Sequence, residues 1–123
     1  MNRFNYIFQL FLLLIFSCQN FAYEKNITGN YYLLGVDTEN NLTISRKLSN
    51  GDYIGRIPAK VLAYGLKDSF LVAKMTFDEV IKYYVIDMKK DSEYALEENF
   101  LFGPMTEQEF KKLSLPINFI KLK

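Results

Sequence analysis

The sequence predicts a mainly β (α+β) fold: an antiparallel β meander of about five to six strands, followed by one short C-terminal helix. Three observations lead there. Tyr and Phe number 9 and 11 among 123 residues, without Trp, and with Val, Ile and Leu they favour pleated surfaces. Apolar and polar residues alternate in short runs separated by Asn- and Gly-bearing turns. A helix-start signature stands at Thr106-Glu107-Gln108-Glu109.

The elements follow in order. Gln19 to Asn30 is polar and unpatterned, which reads as a tether. Tyr31 to Asp37 is a strand, with Tyr32, Leu34 and Val36 sharing a face. Thr38-Glu39-Asn40-Asn41 turns the chain, because Asn accepts left-handed backbone. Leu42, Ile44 and Arg46 then alternate with Thr43, Ser45 and Lys47, so Tyr31 to Leu48 forms a hairpin. Ser49-Asn50-Gly51-Asp52 holds an Asn-Gly reversal. Tyr53 to Ile57 is an edge strand, since Pro58 cannot donate to a ladder. Lys60–Gly65 and Phe70–Met75 reverse around Lys67-Asp68-Ser69. Ile81 to Met88 is the most apolar run and the candidate for the centre of the sheet, with Tyr84, Ile86 and Met88 on one face.

For the helix, Thr106 caps the backbone and Glu109 reaches back to it, while Met105 and Phe110 have the spacing of a hydrophobic staple. Phe110 and Leu113 share the face that docks on the sheet, and Pro116 limits the helix to about two turns. Ile117 to Lys123 is a last strand or a frayed tail.

Ahead of this domain lies a leader. Arg3 supplies positive charge, and Ile7 to Phe16 is apolar apart from Gln9. Ten residues at about 1.5 Å each reach roughly 15 Å, half of a hydrocarbon core of about 30 Å, so the run suits a signal peptide rather than a spanning helix. It ends Leu14-Ile15-Phe16-Ser17-Cys18, which resembles the lipobox of bacterial lipoproteins: aliphatic Ile15, small Ser17 before the cut, and Cys18 as acceptor. Phe16 stands where that pattern favours a smaller residue.

The resemblance implies a diacylglycerol thioether on Cys18 and cleavage before it. Residues 1–17 are then the signal peptide, 18–30 the lipidated N-terminus and tether, and 31–123 a single β-rich domain. The alternative is an ordinary leader cut after Ala22, but Asn20 fits the small-x-small rule poorly. Cys18 is the sole cysteine, so lipidation leaves no disulfide. Two acyl chains anchor firmly where one is marginal. Gln19 is not the Asp that retains lipoproteins at the inner membrane, so an outer-membrane address is expected in a Gram-negative envelope.

Composition narrows the chemistry. There are 15 Lys+Arg and 14 Asp+Glu, and Arg3 leaves with the leader. The mature chain is therefore balanced, without the basic footprint of a nucleic-acid binder or a polybasic lipid-binding run. Histidine is absent, which removes Ser–His and Cys–His nucleophiles and imidazole metal sites. The glycines form no phosphate-cradling loop, and no cofactor or metal is expected.

Carboxylates could still run glycoside hydrolysis. Glu97-Glu98, with Asp91 and Glu93, is the densest acidic patch and reads as a solvated loop. Asp37 to Asn41 lacks EF-hand spacing and reads as a turn. Asn26-Ile27-Thr28 and Asn41-Leu42-Thr43 match a glycosylation pattern of no consequence in a bacterial envelope. Tyr83 and Tyr84 alternate across one strand, so one face packs and the other is exposed; an exposed Tyr can anchor a partner, but a single exposed aromatic usually means nothing.

The chain also resembles a family of small, uncharacterised bacterial lipoproteins of unknown function. The matching residues are Ile57-Pro58 leading into Lys60–Tyr64, Phe70-Leu71-Val72-Ala73-Lys74, Tyr83-Tyr84-Val85-Ile86-Asp87, and Gly103-Pro104-Met105-Thr106 with Glu109-Phe110. This likeness runs from Ile57 to Phe110 and implies a lipoprotein with a β-rich domain, without supplying an activity. The expectation is a non-enzymatic, membrane-anchored binding module with a protein partner in the envelope. The alternative is an immunity or inhibitor protein that neutralises an envelope toxin or hydrolase, and a carboxylate enzyme using Glu97 and Glu98 is a third reading.

Overall fold

In the computed structural model, which describes residues 21–35, 37 and 40–122, nine strands form two antiparallel sheets. The first has the order β1 (Tyr23–Thr28), β2 (Tyr31–Gly35), β3 (Thr43–Lys47), β4 (Tyr53–Ile57). The second contains β5 (Val61–Lys67), β6 (Phe70–Phe77), β7 (Val80–Asp87), β8 (Leu101–Met105) and β9 (Ile120–Lys121), in the order β8-β7-β6-β5-β9. Helix α1 (Glu97–Phe100) precedes β8, and α2 (Glu107–Lys112) follows it.

Period-two alternation decides which side chains meet. Tyr31, Leu33, Leu42, Ile44 and Ile57 of the first sheet are buried in one cluster with Val61, Leu71, Ala73, Met75 and Ile86 of the second. The opposite face of the second sheet offers Val72, Tyr83 and Val85 to Phe110 of α2, with Leu115, Ile117 and Phe119 closing the layer. Tyr83 stacks on Phe110 with ring centroids 4.5 Å apart and planes 3° apart. The five-stranded sheet therefore lies in the middle, with the four-stranded sheet on one side and α2 with the C-terminal segment on the other.

The antiparallel β architecture with a short C-terminal helix stands, and several expectations are corrected. There are two sheets and nine strands rather than one meander of five to six, and a second helix, α1. Strand β1 occupies Tyr23–Thr28, inside the stretch that reads as tether. It pairs with β2 along its length and packs Tyr23 and Ile27 against the core, but two apolar residues separated by Glu24, Lys25 and Asn26 are too few to mark a strand in the sequence. The centre of the second sheet is β6, flanked by β7 and β5; β7 is displaced from the middle because the C-terminal β9 adds beyond β5. Tyr31 to Leu48 does pair as a hairpin, and β4 is an edge. Its core face carries Tyr31 and Leu33, not the face of Tyr32.

Helix α2 forms as its signature requires. Glu109 N–H donates to the Thr106 hydroxyl at 3.1 Å, and Thr106 N–H donates back to Glu109. Leu113, however, is 48% exposed. Ser114, at φ 52°, ends the helix two residues before Pro116, and Leu115, Ile117 and Phe119 pack in place of Leu113.

The C-terminal segment can lie against β5 because Gly65 has no side chain. A Cβ there would stand 2.2 Å from Ile117 Cγ2 and 3.1 Å from the Asn118 carbonyl. Gly65→Ala is therefore expected to cost about 1–3 kcal/mol, as overpacking does, and to loosen β9. Urea denaturation and amide exchange at Leu122, which donates to Leu62 O at 2.8 Å, check this. An unchanged stability would discard the close approach.

Candidate binding site

Two constellations stand out from the packed core. The first is buried. Arg56 grips Asp91 with both arms, Nη2 to Oδ1 at 2.8 Å and Nε to Oδ2 at 3.1 Å, and its Nη2 also donates to the Ser92 carbonyl at 3.1 Å. The Tyr31 hydroxyl donates to Asp91 Oδ2 at 2.6 Å. Arg46 Nη1 lies 3.8 Å from the same oxygen and donates to the Tyr31 hydroxyl at 3.4 Å. The Phe100 ring lies 4.5 Å from the Arg56 guanidinium carbon. Charges taken out of water persist only when paired and hydrogen-bonded, and Asp91 pairs with both arginines of this set. Its work is mechanical: it fastens the link after β7 to β2, β3 and β4.

Burial, then the bond to Asp91, pushes the Tyr31 hydroxyl well above its ordinary range. A raised folded value means that its contribution to stability is complete below pH ~10 and fades as pH climbs towards that value.

Beside this network, Ser49 N–H and the Ser49 hydroxyl both donate to Glu93, the latter at 3.2 Å. These bonds hold the Glu93 carboxyl below its ordinary value of 4.5. Because the folded value is depressed, the tie is complete above the ordinary value and lost as pH falls through the lower one. An acid titration of the Ser49 amide resonance should show a midpoint below 4.5, and Glu93→Gln should abolish it. A midpoint at or above the ordinary value would remove the tie from the account. Between these fastenings the chain presents Tyr94, 91% exposed, and Leu96, 62% exposed.

The second constellation lies on the outer face of the four-stranded sheet. Tyr32 and Tyr53 meet edge to face, with centroids 5.4 Å apart and planes at 76°, and Phe21 meets Tyr53 at 5.4 Å and 88°. Lys47 Nζ lies 5.6 Å from the Tyr32 ring centre and 5.7 Å from that of Tyr53. It has no carboxylate partner among the described residues. The Tyr53 hydroxyl donates to Glu24, and burial followed by this bond raises its pKa.

Glu24 belongs to β1 and Tyr53 to β4, the two edges of the sheet. Their contact means that the sheet curls over its outer face. A cavity of about 640 Å³ results, lined by Phe21, Glu24, Lys47, Asn50, Gly51, Asp52 and Tyr53. Its turn is braced by Asp52 N–H on Asn50 Oδ1 at 2.9 Å. An ammonium without a carboxylate partner among the described residues, two carboxylates and aromatic walls can hold a small polar group carrying both charges.

The residues singled out in the sequence are dispersed. Cys18 lies outside the described residues, as do Thr38 and Glu39 of the Asp37–Asn41 turn. Glu97 and Glu98 sit exposed on the first turn of α1. Asp91 is not part of a solvated patch but the buried centre of the ionic network, and Glu93 is bonded to Ser49. Tyr83 and Tyr84 leave no open face: Tyr83 is buried against Phe110, and Tyr84 packs partly buried on the main core. Tyr32 and Tyr53, half-buried on the outer face of the four-stranded sheet, were legible only as members of strands.

A family model described as "Protein of unknown function (DUF3997)" matches residues 28–123. The match includes the Tyr31–Leu48 hairpin, which the likeness read from Ile57 to Phe110 had left out. No curated protein and no solved structure matches the chain.

Proposed function

The chain belongs to the protein family of unknown function DUF3997, and we propose that it is an exported lipoprotein, anchored through Cys18, whose folded part is a non-enzymatic binding module at the cell envelope. In a Gram-negative cell the anchor would lie in the outer membrane. The observation that carries this is the apolar Ile7–Phe16 run ending in Ser17-Cys18, with the single cysteine of the chain at the acceptor position. The absence of histidine and the open cavity of Tyr53, Lys47 and Glu24 support binding over catalysis.

Intact-mass spectrometry of protein extracted from membranes tests it. The expected species begins at Cys18 and carries acyl mass, and Cys18→Ala should abolish both the acylation and the cut. A chain beginning at Tyr23 without acyl mass would overturn the proposal.

One observation favours an inhibitor or immunity role as a second reading. Tyr94 and Leu96 are exposed on a loop held by Asp91 at one end and by the fully buried Phe100 at the other. A rigid loop presenting an aromatic side chain binds a partner at low entropic cost. Isolation of one stoichiometric toxin or hydrolase, lost on Tyr94→Ser, would favour this role. Retention of that partner by the Tyr94→Ser protein would dismiss the loop.

A further inference from the structure

We propose that the Phe21–Tyr53–Lys47 cavity seats a zwitterionic phospholipid headgroup of the same leaflet that holds the Cys18 acyl chains, so that the four-stranded sheet lies with its outer face on the bilayer. This rests on the lipoprotein reading above and adds an orientation and a ligand class to it.

Chain reach is the first argument. Phe21, which meets the Tyr53 ring, is three residues from Cys18, and three residues span at most about 10 Å. The headgroup zone on each side of a bilayer is roughly 5–8 Å deep. A sulfur whose diacylglycerol is inserted therefore holds the cavity mouth at the depth of the headgroups.

Side-chain chemistry is the second. Tyr, Phe and Lys carry an apolar body and a polar tip, the type that settles at membrane–water boundaries. Here Phe21, Tyr32, Tyr53 and Lys47 converge on one face.

Charge is the third. Lys47 offers an ammonium without a carboxylate partner among the described residues, fit for a phosphate, while Glu24 and Asp52 line the same cavity and suit the ammonium of the same headgroup. A purely anionic headgroup would leave both carboxylates opposed by like charge. The opposite side of the molecule, where α2 exposes Lys112, would face away from the membrane.

The acylated protein beginning at Cys18, in vesicles of phosphatidylethanolamine and phosphatidylcholine, provides the test. A membrane-impermeant amine-acylating reagent is applied, and labelling of Lys47 is measured against Lys112 within the same molecules. In vesicles the Lys47:Lys112 labelling ratio should fall several-fold relative to the same protein dispersed in a non-ionic maltoside. Lys47→Glu should restore exchange of the Asn50–Tyr53 amides in vesicles while the acyl mass is retained.

Equal ratios in vesicles and maltoside, with acylation intact, would show a body swinging free on its tether and sink the docking alone. Absence of acyl mass would instead sink the lipoprotein reading. Protection that appears only on phosphatidylglycerol vesicles would overturn the zwitterionic assignment. Protection by soluble glycerophosphoethanolamine in maltoside, with none on vesicles, would make the cavity a site for a free metabolite and overturn the membrane assignment. Protection that persists in maltoside and grows with protein concentration would assign the face to a second copy and overturn it too.

Discussion

Asp91→Ala is expected to cost about 3–5 kcal/mol, the loss seen when one partner of a buried ion pair is removed. Two guanidinium groups, Arg56 and Arg46, and the Tyr31 hydroxyl converge on this carboxylate. Without it, the Arg56 guanidinium remains out of water and the partly buried Arg46 loses its carboxylate; Arg46 Nε is already buried without a hydrogen-bond partner among the described residues. Domains of this size hold only about 5–15 kcal/mol in total, so the midpoint in urea should fall sharply. The cause can be separated from simple loss of packing. Asp91→Leu combined with Arg56→Met removes a charge with its partner, and apolar replacement of whole ion pairs is often neutral. The double variant should therefore be more stable than Asp91→Leu alone. If the two are equally damaged, the ionic network is not what fastens the link to the sheet.

Phe100→Ala is expected to cost a further about 3–5 kcal/mol on its own, the range for a fully buried aromatic replaced by a methyl group. Phe100 is the largest side chain with no solvent exposure, and its ring lies under the Arg56 guanidinium. Truncation leaves a void and uncovers a cation, so Phe100→Leu, which fills more of the space, should lose less. Because both residues act on Arg56, the effects of Asp91→Ala and Phe100→Ala should not add. Urea denaturation at constant slope reads each loss. Additive effects would mean that the link is held at two independent points.

Several features were open to reading in one dimension because their causes act over a few residues. The Asn-Gly step turns the chain by its own backbone preference. Thr106 and Glu109 are three apart, and each finds the other's N–H within one helical turn. Leu42 and Ile44 alternate with polar neighbours, and both proved buried. Other features gave no local sign. Strand β1 is YEKNIT, half exposed and nowhere fully buried, and becomes a strand where β2 offers it a ladder and the core receives Tyr23 and Ile27. Strand β9 is two residues long and exists by pairing with β5.

The candidate site divides in the same way. Tyr32, Lys47 and Tyr53 were visible as strand residues, but their convergence depends on the curl that brings Glu24 of one edge to Tyr53 of the other. Asp91 looked like its acidic neighbours Glu93, Glu97 and Glu98, since nothing adjacent marks it for burial.

From the order of residues alone came the β-rich class, the turns, the capped helix and the apolar leader ending at Cys18, all products of local backbone and hydropathy preferences. The division into two sheets, the burial of Asp91 and the aromatic cavity were decided by tertiary contact. Asp91 meets Arg56 across 35 residues and Tyr31 across 60. At such separations no local propensity operates; only the packing of the two sheets determines which carboxylate loses its water.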